Sequence, residues 1–358
     1  MENMVKTNEL RFFKNKKIFI TGHSGFKGSW LSYILDKNES IIKGYSLEPN
    51  TSPALFSQLK FSKQFSSIIA DINDFDKLKK EIISFKPDII FHLAAQPIVL
   101  ESYKNPKYTF NTNFTGTLNL LEILREVQHE CACVLVTTDK VYANDDQKIS
   151  FKEDDKLGGN DPYSASKAAS EILINSYIKS YFSKSNVSVA SVRAGNVIGG
   201  GDWSKHRLVP DIVRAYNDKK TKLNIRHPNS IRPWQHVLEP LFGYLELAKK
   251  LYASKIKFSG SWNFGPNKDD IKTVKDIITL AKNAGMNFNY SENKISEYYE
   301  SSYLSLDITK SKNNLEWSPK WESEIAIKKT IEWYLGFYQN INIEKLMDKD
   351  INSYLNLK

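Results

Sequence analysis

The sequence predicts an α/β protein in which a doubly wound parallel sheet is followed by a smaller C-terminal α/β domain. In the first half of the chain, short β-branched and aromatic runs alternate with segments whose apolar residues recur at helical spacing. A glycine-rich turn joins the first predicted strand to the first helix. After Asn196 the alternation stops and a loop-rich stretch rich in Pro, Trp and Arg begins, which indicates a second domain.

Six strands are predicted for the sheet, at residues 17–20, 41–47, 66–69, 88–93, 133–136 and 187–192. After the glycine turn and its helix, further helices are predicted at 74–85, 108–128 and 163–182, and beyond Asn196 at 240–252, 274–284 and 322–337. The tail from Asn340 is expected to be a surface helix. We assign residues 1–198 and about 233–262 to a nucleotide-binding domain, and about 199–232 and 263–358 to a substrate domain.

The glycine turn, residues 21–30, has the form of a dinucleotide-binding loop. Gly22, Gly25 and Gly28 are spaced three apart between a buried strand and a helix marked by Trp30, Leu31, Ile34 and Leu35. The first allows a tight turn, the second lets backbone approach a pyrophosphate, and the third lets the helix lie close to the sheet. Free N–H groups at the helix start attract the phosphate charge. We therefore predict a Rossmann-type nucleotide site; the alternative is a glycine turn that binds nothing.

Composition excludes several classes of protein. The net charge of +9 over 358 residues comes from dispersed lysines without a basic tract, so nucleic acid is not an expected partner. No apolar run approaches the roughly 18 residues of a membrane span, and the polar start lacks a signal-peptide segment, so we expect a cytoplasmic protein with no membrane contact. Cys131 and Cys133 are too few for a disulfide framework or a zinc site, and no metal is expected.

A Tyr-x-x-x-Lys motif occurs three times, and its context selects one copy. The Tyr103 copy contains Pro106, which disfavours the helix that would put both side chains on one face. The Tyr216 copy ends in paired lysines at a predicted helix end. Only Tyr163 and Lys167 follow an Asp-Pro helix start and continue into a helical pattern.

These residues predict acid–base chemistry on a hydroxyl. An ammonium at Lys167 should lower the pKa of Tyr163, so that the phenolate accepts a proton while a hydride leaves, and Thr138 should share that hydroxyl. Asp139 and Lys140 add a carboxyl and an amine at the end of the fifth strand. Two extra titratable groups suit an elimination; the alternative is a surface ion pair.

With these motifs the chain resembles the extended short-chain dehydrogenase/reductase family and, within it, the CDP-glucose 4,6-dehydratases. The resemblance runs from about residue 15 to 338, and its matching stretches are 21–31, 91–97, 113–117, 138–140, 158–164, 193–203, 232–237 and 262–266. The Asp139-Lys140 pair and the stretch 193–203 are the most specific of these. The related dTDP-glucose dehydratases carry Asp-Glu where this chain has Asp-Lys.

The resemblance implies an NAD-dependent 4,6-dehydration of CDP-D-glucose to CDP-4-keto-6-deoxy-D-glucose. C4 is oxidised while Tyr163 and Thr138 handle the hydroxyl proton, water leaves across C5 and C6, and the hydride returns to C6. Asp139 would protonate the departing C6 hydroxyl. Lys140 occupies the position of the C5 base in the carboxylate relatives and would act as a neutral amine.

The resemblance also implies binding residues. For the cofactor they are the glycine loop with Phe26, the end of the second strand at Ser46, and Asp71, Ile72, Ala94, Ala95 and Asn113. For the substrate they are Gln96, Asn196, Arg207, Arg232 and Glu300. For Arg232, which precedes Pro233 and Trp234, the alternative to substrate binding is a structural role. Ser46 and Leu47 supply neither the acid expected for a ribose hydroxyl nor an Arg for a 2′-phosphate, so these residues alone do not separate NAD from NADP.

Alternatives remain open on the residues. Leu100 and Glu101 stand where the family pattern has at least one Arg, which leaves the sugar uncertain. A dehydratase or epimerase acting on a GDP- or dTDP-hexose or on a heptose is the second hypothesis. A non-catalytic nucleotide-binding relative is the third, although loss of Tyr163 or Lys167 would be expected there. A homodimer or a dimer of dimers, paired through the helices at 108–128 and 163–182, follows from the resemblance.

Overall fold

The computed structural model describes residues 10–292 and 301–357. Its thirteen strands within these ranges are β1 (Lys17–Thr21), β2 (Ile41–Ser46), β3 (Phe65–Ile69), β4 (Ile89–His92), β5 (Cys131–Val136), β6 (Val187–Ala194), β7 (Val197–Ile198), β8 (Leu223–Ile225), β9 (Ile231–Arg232), β10 (Gln235–His236), β11 (Gly260–Phe264), β12 (Lys272–Thr273) and β13 (Tyr290–Glu292). The helices described are α1 (Phe26–Lys37), α2 (Phe75–Phe85), α3 (Val99–Lys104), α4 (Pro106–Phe110), α5 (Gly116–Leu124), α6 (Pro162–Tyr177), α7 (Leu208–Asn217), α8 (Leu238–Ser254), α9 (Val274–Asn283), α10 (Thr309–Leu315), α11 (Ser323–Tyr338) and α12 (Ile343–Leu355).

The main sheet has seven parallel strands in the order β11-β6-β5-β4-β1-β2-β3. The predicted fold class is confirmed, and all six predicted strands are present. The seventh, β11, was not predicted because only two large apolar residues, Trp262 and Phe264, mark it in the sequence. The chain order reverses at β1 and β4, and in such sheets ligands bind at the carboxyl ends of the strands beside that reversal.

Alternate residues along each central strand enter two separate cores. In β1, Ile18 and Ile20 belong to the core that includes α1, α8, α11 and α12, whereas Phe19 belongs to the core that includes α2 and α5. Cys131 and Cys133 are buried free thiols of β5 in the second core. Both faces of the sheet are therefore covered, which explains why its strands read as nearly continuous apolar runs.

The helix predictions need corrections at four places. The segment 108–128 is divided into α4, a π-helical turn at Asn111–Thr115 and α5, and α6 passes into a second π turn at Ile178–Phe182. The predicted loop region contains α7, whose apolar face is buried. The tail helix α12 buries Met347, Ile351 and Tyr354, so it completes the core rather than lying on the surface.

A buried histidine beneath the sheet's carboxyl edge gives a testable pH dependence. His92 hydrogen-bonds Thr21 Oγ1 at 2.8 Å and Thr117 Oγ1 at 3.3 Å, and burial lowers its pKa from 6.5 to about 3. Below pH 6.5 the imidazole of His92 is protonated in the unfolded chain but stays neutral in the folded chain. The contribution of His92 to stability is therefore lost as the pH falls.

We expect the free-energy difference between wild type and His92→Asn to shrink by about 2 kcal/mol between pH 7.5 and pH 5. Urea unfolding of both proteins at the two pH values measures this shift. A difference that stays constant with pH would contradict the burial of a neutral imidazole.

Candidate active site

The glycine loop after β1 forms a cradle that a side chain would fill. Gly22 has a φ of +72°, and a Cβ there would lie 2.6 Å from the backbone nitrogen of Ala94 at the end of β4. A Cβ on Gly28 would overlap the carbonyl oxygen of Gly22. Gly25 is exposed and precedes Phe26, the first residue of α1, whose first turn has no side-chain cap. The open N–H groups and the close backbone approach fit a dinucleotide pyrophosphate.

The ends of β2 and β3 lie beside this loop. The Ser46 hydroxyl hydrogen-bonds the Ser24 hydroxyl at 2.6 Å, and Ser24 also donates to the carbonyl of Leu47 at 2.8 Å. Asp71 accepts two hydrogen bonds from Asn73 through a single carboxylate oxygen. Ile72 is buried and packs so closely on α5 that a Cβ at Gly116 would lie 2.7 Å from its Cγ2.

Asn113 and Gln96 link the segment after β4 to the helix layer. Asn113 accepts from the Gln96 backbone N–H at 2.8 Å and donates to the Ser166 hydroxyl of α6 at 2.9 Å. The amide of Gln96 is itself buried and is bonded to Ile98 and to Thr109. Its hydrogen bonds are therefore internal ones, whereas Ala94 and Ala95 in the same segment are half-buried.

The segment 138–140, which contains Thr138, Asp139 and Lys140, begins two residues after the last residue of β5, at the same sheet edge. The Thr138 hydroxyl donates to Asp139 Oδ1 at 3.0 Å and accepts from the Lys140 backbone N–H at 3.4 Å. A 3₁₀ turn at Asp139–Val141 begins here. Thr138 and Asp139 are buried, while Lys140 is half-buried at the wall of a cleft.

Tyr163 and Lys167 occupy one face of α6. Asp161 caps the helix by accepting from the Ser164 backbone N–H at 3.0 Å, which sets the first turn next to Thr138. Both side chains are buried, and Lys167 Nζ donates to the carbonyl of Val136 at 3.0 Å. The other two Tyr-x-x-x-Lys copies do not share a helix, because Tyr103 lies in α3 with Lys107 in α4, and α7 ends before Lys220.

The protonation state of Tyr163 differs from the expectation. Burial raises its pKa to about 12, an effect that the hydrogen bond with Thr138 and the charge of Arg207 only partly offset. Burial also lowers the pKa of Lys167 to about 8, so this ammonium is itself close to losing its proton. The predicted lowering of the tyrosine pKa by Lys167 is wrong for this state, since the cost of burying a phenolate is larger.

Asp139 carries an unused carboxylate oxygen in the centre of the site. Burial raises its pKa, with Lys140, the Thr138 hydroxyl and Arg232 acting in the opposite direction. Within the described part of the chain, its Oδ2 has no hydrogen-bond partner. A Cβ on Gly195 would overlap that oxygen, so the glycine after β6 is what leaves room for it. A buried carboxyl with one free oxygen is suited to donating a proton.

Cations surround these groups. Arg207 precedes α7 and donates to Asp202 Oδ2 at 3.0 Å. Arg232 is buried and donates to the carbonyls of Ile231 at 2.7 Å and Ser301 at 2.6 Å, which agrees with its alternative structural role. Asn196 is half-buried with a φ of +29°. Glu300, the remaining predicted substrate residue, lies outside the described residues.

Sequence reasoning missed Lys27, which lies in the glycine loop itself. Burial, together with the charges of Arg207 and Lys167, lowers the pKa of Lys27 to about 7, and Asp139 acts in the opposite direction. Its amine is therefore close enough to interact with the charges of Asp139 and Lys167. The signal was available, because the residue between Phe26 and Gly28 sits in the first turn of α1 at the sheet's carboxyl edge.

A small cleft opens beside Lys140 at this edge of the sheet. Its other polar lining residues include Tyr142, Asn144, Asp161 and Arg232. Among the residues that the structure describes, no group of His, Cys, Asp or Glu could hold a metal ion. Across the same residues, no helix combines the length and apolar character that a membrane crossing requires.

Comparison with known proteins identifies the family of this chain. The family model described as GDP-mannose 4,6 dehydratase matches residues 19–330. The CDP-glucose 4,6-dehydratase of Salmonella typhimurium is 41% identical over 350 residues, covering 96% of this chain and 97% of the relative. The dTDP-glucose 4,6-dehydratase of the same organism is 25% identical, with coverage of 91% and 94%.

Solved structures show the same fold at lower identity. The epimerase Mth375 from Methanothermobacter thermautotrophicus superposes with a TM-score of 0.79 at 22% identity, covering 94% of this chain and 97% of that one. The family model spans most of the chain, and the 41% identical relative is matched almost end to end. This chain therefore belongs to the GDP-mannose 4,6-dehydratase family, the nucleotide-sugar 4,6-dehydratases of the extended short-chain dehydrogenases/reductases.

Proposed function

We propose that this protein converts CDP-D-glucose to CDP-4-keto-6-deoxy-D-glucose. The observation that carries the proposal is a buried carboxyl, Asp139, with one unbonded oxygen beside the Tyr163–Thr138 pair and next to Lys140. Oxidation of an alcohol needs only the tyrosine and its neighbours, whereas loss of water needs a further acid and a further base. The choice of nucleotide rests on the relative that is 41% identical.

The glycine cradle fits NAD, which when bound accepts a hydride from C4 and supplies it again to C6. Gly22, Gly25, Phe26 and Gly28 would hold the pyrophosphate. The other residues that we assign to the cofactor are Ser46, Asp71, Ile72, Ala94, Ala95, Asn113, Tyr163 and Lys167. The overlap that any side chain at Gly22 or Gly28 would produce supports this assignment.

In the first step Tyr163 takes the proton of the C4 hydroxyl, and Thr138 shares the hydrogen bond. With a pKa near 12, Tyr163 needs positive charge nearby to act as a base at neutral pH. Arg207 supplies part of that charge. Asn196, Arg207 and Arg232 would hold the diphosphate, because a guanidinium donates to phosphate in parallel. Gln96 and Glu300 stay predictions for the sugar.

In the second step Asp139 protonates the C6 hydroxyl and Lys140 removes the C5 proton. The C5–H and C6–O bonds break, a C5=C6 double bond forms and water leaves. When the hydride reaches C6, C5 regains a proton from Lys140. The proton that Tyr163 took from the C4 hydroxyl replaces the one that Asp139 gave to the departing water, so the site ends as it began and the sugar undergoes no net redox change.

Gly195→Ala should disable this acid. The added methyl would overlap Asp139 Oδ2 and lie 2.8 Å from Pro233 Cγ, so the carboxyl must turn away. We expect water loss to slow at least about tenfold and stability to fall by about 1–3 kcal/mol. Gly265→Ala is the matched control, because its Cβ would meet Leu306 at an ordinary 3.5 Å. Equal rates in the two variants, measured by product formation, would exclude the proposed role of the Asp139 position.

We also propose a homodimer in the cytoplasm, with the two predicted domains as assigned above. Four large apolar side chains of the α4–α6 layer are exposed in the single chain: Tyr108, Phe110, Ile172 and Tyr181. Such a surface favours pairing of two copies. A monomer on sizing chromatography at micromolar concentration would refute the pairing.

The function is tested by incubating the purified protein with CDP-, dTDP-, GDP- and UDP-hexoses and measuring the masses of the products by mass spectrometry. We expect CDP-glucose to lose one water. Loss of water from another donor would keep the reaction and move the substrate, and an isomer of unchanged mass would favour the epimerase alternative. No change with any donor would favour a heptose substrate or a non-catalytic nucleotide-binding protein.

A further inference from the structure

Glu171 is a fully buried carboxylate behind the catalytic helix face. It lies on α6 one turn after Lys167 and two turns after Tyr163, so the three side chains share one face. Glu171 is 1% exposed, and Arg193 of β6, which donates to Glu171 Oε2 at 2.7 Å, is 2% exposed. Two opposite charges at this depth are costly to bury and persist where each has a partner.

The helix face is joined to three consecutive residues at the end of β5. Tyr163 interacts with the Thr138 hydroxyl, Lys167 Nζ donates to the Val136 carbonyl at 3.0 Å, and the Thr137 hydroxyl donates to Glu171 Oε1 at 2.5 Å. Thr137 lies directly before Thr138. A shift of Glu171 would therefore displace the strand end on which the reacting hydroxyl group is held.

Glu171 is kept ionised by the strands beside it. Ser191 of β6 and Ser261 of β11 donate to Oε2 at 2.8 and 3.0 Å, in addition to Arg193. Burial acts to raise the pKa of Glu171, yet Arg193 and the hydrogen bonds outweigh it, so that the pKa is lowered. Arg193 in turn donates to the Tyr142 hydroxyl at 2.7 Å, and Tyr142 lines the cleft beside Lys140.

The negative charge of Glu171 acts on Lys167. Among the described residues, Lys27 from the glycine loop and the neutral His92 from β4 also interact with the charge of Lys167, and Tyr163 lies one turn before it on the same helix. Glu171 is the group that raises the pKa of Lys167 against burial. Without it, a buried amine beside Lys27 would lose its proton more readily.

We propose that Glu171, held by Arg193, is a positioning residue for the first chemical step: it keeps Lys167 an ammonium and fixes the end of β5 that carries Thr138. The inference rests on the proposed function for its kinetic part, while its electrostatic part concerns the free protein. It assigns a role to the third turn of α6, which the Tyr-x-x-x-Lys motif does not include.

The test is a titration of Lys167 in the full-length protein labelled with ¹³C at lysine Cε, with the signal assigned by its absence in Lys167→Met. In Glu171→Gln we expect the midpoint of Lys167 to fall by at least about one pH unit. Glu239→Gln removes an equally buried carboxyl that accepts from Trp321 and Tyr354, and it should leave the midpoint unchanged. An unchanged midpoint in Glu171→Gln would overturn the proposal.

The pH dependence of kcat should shift in the same direction as the midpoint of Lys167. Activity that needs an ammonium at Lys167 is lost as the pH rises through its pKa, so the alkaline limb of the kcat profile should move to lower pH in Glu171→Gln. At pH 8 we expect kcat to be about tenfold lower with little change in KM. Glu171→Asp keeps the negative charge and should return the alkaline limb of the kcat profile to its wild-type pH. A lower melting temperature with an unshifted limb would mean a merely structural role.

If Glu171→Gln does not fold, Thr137→Val tests the positioning role, since it keeps the shape of the side chain and removes the hydroxyl that bonds Glu171 and, at 3.2 Å, the carbonyl of Val192. We expect kcat to fall about tenfold with KM retained; an unchanged kcat would contradict the proposal. A wild-type protein that turns over no nucleotide sugar would defeat the proposed function, and the lysine titration would still decide this inference.

Discussion

Tyr163→Phe is expected to lower kcat for CDP-glucose by about 10²–10⁴-fold, because the variant has no group to take the C4 hydroxyl proton. Thr138 can still hydrogen-bond the hydroxyl, but its own hydroxyl is bonded to Asp139 and is a far weaker base than a phenolate. The aromatic ring remains, so the buried packing around α6 and the binding of the nucleotide should change little. Single-turnover formation of reduced nicotinamide, followed by absorbance, measures the affected step directly.

Tyr216→Phe is the matched control, since it belongs to a Tyr-x-x-x-Lys copy that leaves its helix and packs on Tyr338. Its rate should equal that of the wild type. A Tyr163→Phe variant with more than a tenth of the wild-type rate would exclude the phenol as the proton acceptor. A loss confined to KM would instead indicate a binding role.

Asp139→Asn is expected to stop water loss while C4 oxidation continues. The amide keeps the size of the side chain and can still accept from Thr138, but it cannot protonate a departing hydroxyl. The raised pKa of Asp139, caused by burial, lets the wild-type group carry that proton. We expect the dehydrated product to form at least about 10²-fold more slowly and the absorbance of reduced nicotinamide to build up.

Comparison of Lys140→Met with Asp139→Asn distinguishes the base that removes the C5 proton from the acid that protonates the C6 hydroxyl. Both variants should accumulate reduced nicotinamide, but only Asp139→Asn should still exchange the C5 hydrogen of the bound ketone with deuterated solvent, because its base is intact. Exchange in Lys140→Met would contradict the role of Lys140 as the C5 base. Normal product formation by Asp139→Asn would show that another group protonates the C6 hydroxyl.

Local patterns were sufficient for six of the seven strands of the main sheet, for the glycine turn and for the start of α6. The strand at β1, the glycines at 22, 25 and 28, and the helix start at Asp161 each act through backbone geometry within a few residues, so their sequence signals are strong. The strand β11 and the helix α12 depend on distant partners. Tyr354, for example, packs on Phe242 and donates to Glu239 of α8, contacts that no local pattern predicts.

The electrostatics of the site could not be predicted from spacing alone. The motif puts Lys167 one turn from Tyr163, but the pKa of the tyrosine depends on burial, and burial depends on the assembled fold. The same holds for Gly195, whose missing side chain matters only because β6 ends beside Asp139. Arg193 was visible within a conspicuous motif, yet its partner Glu171 is 22 residues away in sequence.

The most direct test of the proposed hydride transfer from C4 to C6 is the fate of deuterium in CDP-[4-²H]glucose incubated with the protein in ordinary water. We expect a product that has lost one water and carries the deuterium at C6, as measured by mass spectrometry and NMR. Deuterium that stays at C4 in an isomer of unchanged mass would mean an epimerase. Loss of the label to solvent would contradict hydride return within one site.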